Sequence, residues 1–289
     1  MTTRNKSIAF LVLSFALSWG VVFACWGAGV REANLVGLVL VAMMAGPAIA
    51  ALICAFAFEP KGQRRAALGL HWTPNLWWLF AWAGVVLIAT LSVVLTMLLS
   101  GQSFVPIGDA AREAAIAQGQ DVSQIPPFLF STEFIFAMAL LVGPAINTII
   151  LTFTEELGWR GYLHHLWRGA GFWRCSLNTG AIWGAWHAPA ILLYGLNYPQ
   201  NADIGVFLFV FYCVLLAPIM TFFRDRGRSV IAAGVAHGTF NALGGLTIGS
   251  LSAPNFPWNG IVGIGGFLAL ALGVGAIWWL KRREAPASA

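Results

Sequence analysis

The chain has 289 residues, of which 59% are hydrophobic and 9% charged, with a net charge of +5. A soluble globular chain carries about 25% charged residues, so this composition excludes an ordinary soluble enzyme and indicates a helical membrane protein. A membrane β-barrel is excluded too, because it would show short alternating segments instead of long apolar runs.

Runs near the length that crosses about 30 Å of hydrocarbon recur along the chain. They predict eight spans, at residues 8–28, 35–58, 76–99, 134–157, 176–196, 205–223, 229–249 and 260–280. The first run is long enough to span and is followed by no small-residue cleavage site, so it is read as a span and not as a cleavable signal. With eight spans, all but Arg31 and Arg112 of the 16 lysines and arginines fall on one side. That bias predicts that both termini are cytoplasmic. It also accounts for the positive charge without a nucleic-acid partner. The longest loop, 100–133, is then external, and its stretch "GDAAREAAIAQG" has the composition of a short surface helix. No internal repeat or linker divides the chain, which reads as one integral-membrane domain over 1–289. The expected fold class is therefore all-α, multi-pass, in the cell membrane, with the bilayer as its first partner. The four cysteines, Cys25, Cys54, Cys175 and Cys213, are scattered one per span without a C-x-x-C pair. They read as packing residues.

Ionisable residues inside a span mark functional sites by default. Three groups stand out. Glu155, Glu156 and Arg160 follow the apolar run "GPAINTIILTF", where Gly143-Pro144 allows a helix break. His187 lies in "AIWGAWHAPAILL". His237 and Asn241, four apart and so on one helical face, lie in "AAGVAHGTFNALGG". At about 1.5 Å per residue His187 is roughly 16 Å from its end, His237 about 12 Å and Asn241 about 18 Å, with Glu155 at about 12–20 Å. One polar cavity open to the cytoplasm would collect them all. His164 and His165 read as interfacial, non-catalytic residues, and His71 as a solvated loop residue. The tryptophans near span ends read as an interfacial belt.

A carboxylate and an imidazole can hold and deprotonate a water. A second imidazole and an amide NH2 on one face can donate to a developing oxyanion. The chemistry indicated is hydrolysis of a carbonyl compound, a peptide bond above all. Without a serine or cysteine at a nucleophile position, activated water is preferred to an acyl-enzyme. Zinc could use the same residues, with His187, His237 and Glu155 as ligands and one open position; the spacing does not decide between the two.

"EELGWR" matches the E-E-x-x-x-R motif of the type II CAAX prenyl endopeptidases, a family also described as bacteriocin-processing and abortive-infection-like intramembrane proteases. "WGAWH" is similar to the family's F-x-x-x-H motif, with Trp183 in the aromatic position, and "HGTFN" to its H-x-x-x-N motif. "MMAGPAIAALI", near Met43, resembles a common upstream segment. The resemblance implies an intramembrane endopeptidase acting on peptide or lipidated-protein substrates. Glu155 would activate water that His187 helps to hold, His237 and Asn241 would stabilise the oxyanion, and Glu156 and Arg160 would orient the site or bind substrate. It implies catalysis without a metal cofactor, zinc being the alternative. A transporter, or a non-catalytic scaffold or immunity protein, would also carry buried ionisable residues.

Overall fold

A computed structural model describes residues 1–117 and 119–284. Gln118, in the expected surface-helix stretch, and 285–289, the tail of the expected domain, lie outside the described residues. Among the described residues the chain is helical, and its only β pairing is one bridge between Phe104 and Leu251. The helices are α1 (Thr3–Gly27), α2 (Ala33–Phe58), α3 (Leu76–Ser100), α4 (Ile107–Ala117), α5 (Thr132–Ala170), α6 (Phe172–Trp186), α7 (Ala188–Tyr194), α8 (Ala202–Gly227), α9 (Val230–Gly249) and α10 (Ile264–Glu284).

Six of these, α1, α2, α3, α5, α8 and α10, are long and apolar enough to cross a membrane. The other two predicted spans correspond to α6 with α7, and to α9. Polar residues set both apart from the other six. The first breaks at His187; the second carries His237, Asn241 and several glycines. The surface helix is present as α4.

The largest departure from expectation is α5. Gly143-Pro144 does not break it. The helix runs for 39 residues, widening to π-helix at Met138–Val142 and again at Thr152–Leu163. Pro144 lacks the N–H that would bond the carbonyl of Leu140 in an α-helix. Trp82 of α3 supplies a donor instead, its Nε1 lying 2.8 Å from that carbonyl. The missing hydrogen bond is replaced from a neighbouring helix, and the chain continues straight through.

Close backbone approach then locks α5 in place. A Cβ on Gly158 would lie 2.7 Å from Pro47 Cβ and 2.8 Å from its carbonyl oxygen on α2; one on Gly238 of α9 would lie 2.5 Å from the Thr148 nitrogen. Only glycine fits at these crossings, as at small-residue interfaces between membrane helices. Large apolar side chains such as Leu38, Leu79, Phe207 and Leu272 face outward, as a lipid-facing surface requires.

The two ends of the bundle differ. At one end Lys6 pairs with Glu59 at 2.7 Å, Arg226 pairs with Glu284, and Val230 N donates to Gly69 O; most of the lysines and arginines gather there. The other end is closed by loop-to-loop contacts, Val105 N to Ser250 O and Tyr198 Oη to Val262 O among them. Arg160 does not belong to the basic end, where its charge had placed it. It is 1% exposed, inside the bundle.

Candidate active site

The stretch "TFTEELGWRGYL" forms the second π segment of α5. Such segments are rare and recur at functional sites. Here it buries three charges: Glu155 is 3% exposed, Glu156 0% and Arg160 1%. Charges at that depth must be paired. Glu156 Oε1 lies 3.0 Å from Arg160 Nη1 and 3.0 Å from His237 Nδ1. Glu156 therefore joins two helices: it holds the α5 cation and fixes the imidazole offered by α9.

Glu155 faces another way. Its Oε2 accepts a 2.7 Å hydrogen bond from Trp183 Nε1. Trp183 is the residue whose weight the sequence did not reveal. It is buried on α6, and its backbone carbonyl accepts from His187 Nδ1 at 2.8 Å. Its ring centroid is 4.4 Å from the Arg160 guanidinium, 5.1 Å from the His237 ring and 5.7 Å from the His187 ring. One side chain thus touches four of the six predicted site residues. Its signal was its place in mid-span, far from the interfacial tryptophans.

His187 sits at the turn between α6 and α7. Pro189 at the start of α7 interrupts the helical hydrogen bonding, and Trp19 Nε1 donates to the Trp186 carbonyl there at 2.9 Å. A carbonyl can only accept, so Nδ1 of His187 carries the proton toward Trp183 and Nε2 is left as the free ring nitrogen. Trp186 and Phe209 pack edge-on against the ring, each with a centroid separation of 4.7 Å. The imidazole is held in one orientation.

Glu155, His187, His237 and Asn241 line one cavity of about 570 Å³. Glu156 and Arg160 stand behind its wall and outside its lining, contrary to the expectation that Glu156 faces it. Asn147, absent from the sequence reading, also lines it, with its Nδ2 anchored 2.9 Å from the Gly143 carbonyl. A polar amide inside an apolar run was the signal for it. Apart from Glu155 and the histidines the wall is uncharged, and Met43, Phe209, Tyr212 and Phe240 supply much of it.

The cavity's reach also corrects the sequence reading. Its lining continues to Asn197, Ile248 and Val262, toward the end closed by the loops and away from the basic end. The sequence placed the opening on the basic side because it counted residues from there. The helices carry the cavity in the other direction from the same polar level.

His164, expected near the interface, lies at the basic end and is buried there. It is 4% exposed, with Nε2 3.2 Å from Asp225 Oδ1 and Nδ1 3.6 Å from Cys175 Sγ. It ties α5 to α6 and α8 at the basic end and does not reach the cavity. Among the described residues, no three His, Cys, Asp or Glu side chains are placed to hold a metal ion.

These features describe an all-helical protein with six helices long and apolar enough to cross a membrane and a pocket with ionisable residues among them. Over residues 130–243 the chain matches the family model described as type II CAAX prenyl endopeptidase Rce1-like, as its three motifs had suggested. The matched segment holds every predicted site residue, from Glu155 to Asn241. The similarity implies a membrane-bound protease. No curated protein matches the chain.

Proposed function

We propose that the chain is an intramembrane endopeptidase that hydrolyses peptide bonds in membrane-anchored substrates, including lipidated ones cut near their C-termini. The observation that carries this reading is the meeting of Glu155, His187 and His237 around Trp183 on one cavity wall. Glu155 takes a proton from water held by His187 Nε2, and the hydroxide attacks the carbonyl carbon. Asn241 and His237 donate to the resulting oxyanion. With Nδ1 committed to Glu156, His237 is left with Nε2 to face the oxyanion. Collapse breaks the C–N bond, and the amine leaves with the proton from Glu155. Glu156 and Arg160 orient the site from behind. The whole chain acts as one domain.

We read the mechanism as metal-free. Both histidines commit Nδ1 to protein acceptors and keep Nε2 free, which zinc ligands also do. What supports a held water instead is the Arg160 guanidinium behind Glu156, a cation where a dication would bind, and Asn241, an amide donor and a poor zinc ligand, on the cavity wall. Purified protein should cleave a membrane-embedded peptide, with elemental analysis of the active fraction finding less than stoichiometric metal. Stoichiometric zinc, with activity lost on chelation and recovered with zinc, would overturn the metal-free reading alone. No cleavage of any peptide in a broad library would overturn the peptidase itself.

In this reading α6 with α7, and α9, join the six long helices as crossings, which makes eight with both termini at the basic, cytoplasmic end. A cysteine placed at Asn197, beside the cavity, should then react with an impermeant maleimide only from the outside, and one at Gln63 only from the cytoplasm. The reverse pattern would invert the topology.

Trp183→Phe keeps the ring but removes the donor to Glu155. We expect kcat to fall about 10–100-fold, the scale of one hydrogen bond to a charged group, with KM unchanged. A fall caused by lost packing would raise KM and lower the melting temperature instead.

A further inference from the structure

A second cavity, of about 440 Å³, opens at the basic end between the Lys61–Gln63 turn, the end of α5 and the α8–α9 connection. Arg168, Arg224, Arg228, His71 and His165 line it, and Asp225 is its only acid. That carboxylate is already engaged, 3.3 Å from Arg224 Nη1 and 3.2 Å from His164 Nε2. Among the described residues Arg168 and Arg228 form no ion pair. Two uncompensated guanidiniums and two imidazoles thus converge on one concave space.

One detail fixes part of the cavity wall: Arg224 is anchored, with its Nε donating to the Arg160 carbonyl at 3.1 Å. Arg228 caps α8 in the left-handed conformation, φ 57°, its N–H on the Arg224 and Asp225 carbonyls, which places its side chain at the cavity rim by an ordinary helix ending.

We propose that this cavity binds a phosphate group. Planar guanidinium forks match phosphate oxygens in bidentate fashion, and the imidazoles add donors. The phosphate belongs either to a lipid headgroup, since the site lies at the ends of the spans, or to a free anion. The bond from Arg224 to the Arg160 carbonyl ties the occupied cavity directly to the π segment that carries Glu155. The binding itself does not depend on the peptidase reading.

The test uses the intact purified protein in detergent. Native mass spectrometry would compare retention of phosphatidic acid with that of phosphatidylcholine, and thermal melting would compare inorganic phosphate with chloride at equal ionic strength. The comparison variant is Arg168→Gln/Arg228→Gln, whose side chains make no internal ion pair. We expect the wild type to retain phosphatidic acid preferentially, and the double variant to bind it at least about tenfold more weakly. Competition by inorganic phosphate, or a melting shift with it alone, would assign the site to the free ion; retention of the lipid against phosphate would assign it to the headgroup. Should the double variant melt abnormally, competition of inorganic phosphate for phosphatidic acid on the wild type and the variant Arg228→Lys, which keeps the charge, decide the matter. Equal behaviour of phosphate and chloride together with no lipid preference overturns the proposal, as does undiminished binding by a folded double variant.

Discussion

Glu155→Gln should lower peptide hydrolysis by at least about 10²-fold, the contribution of a positioned general base, while leaving the fold intact. The geometry makes this substitution clean. Glutamine keeps the carbon skeleton, and its amide oxygen can still accept the hydrogen bond that Trp183 Nε1 gives Glu155 Oε2 at 2.7 Å. The packing against α6 therefore survives, and only the capacity to take a proton from water is lost. A buried carboxylate is also removed, so the melting temperature should not fall. Cleavage rate and melting curve, measured on the same preparation, separate the two effects. Unchanged turnover would remove Glu155 from the base role.

The second large effect concerns stability. Arg160→Met should cost about 3–5 kcal/mol, the range for stripping one partner from a buried ion pair. Glu156 is fully buried and shares one oxygen, Oε1, between Arg160 and His237. Without the guanidinium its charge has the imidazole alone. Loss of the 4.4 Å contact between the guanidinium and the Trp183 ring adds to the loss. Glu156→Gln/Arg160→Met should recover much of the stability, because the uncompensated charge is then gone. Chemical denaturation of the single and double variants checks this, and a double variant no more stable than Arg160→Met would mean that the pair is not what holds α5 in place.

The sequence made the fold class plain because long apolar runs leave few alternatives in a membrane. The edges of α2, α3 and α9 were legible within a few residues for the same reason, helped by polar caps such as Asn75 and Ser229. Pro144 misled because the compensating donor, Trp82, is distant in sequence and belongs to another helix. Glu156 and Arg160, four apart at the end of an apolar run, were legible as buried charges; the burial of His164 was not, because its partner Asp225 lies on another helix. The polar residues of the site were recognisable one by one from the cost of placing them among apolar neighbours. Their joint geometry around Trp183 was not, since a tryptophan in a membrane chain usually reports an interface. The direction of the cavity was also hidden, because depth measured along a helix does not say which way the space beside it opens.

The π geometry at Thr152–Leu163 bears on how this chain can change over generations. A π stretch holds more residues per turn than an α-helix; it is the form a helix takes when residues are inserted without lengthening it. Removing one codon within these twelve residues would return part of the stretch to α-helix and swing everything after the deletion around the axis. Glu155 and Arg160 would then face different neighbours even though no residue type had changed. A residue with a side chain would then replace Gly158 beside Pro47, where there is no room for one. The motif should thus tolerate some exchanges of residue and almost no change of length.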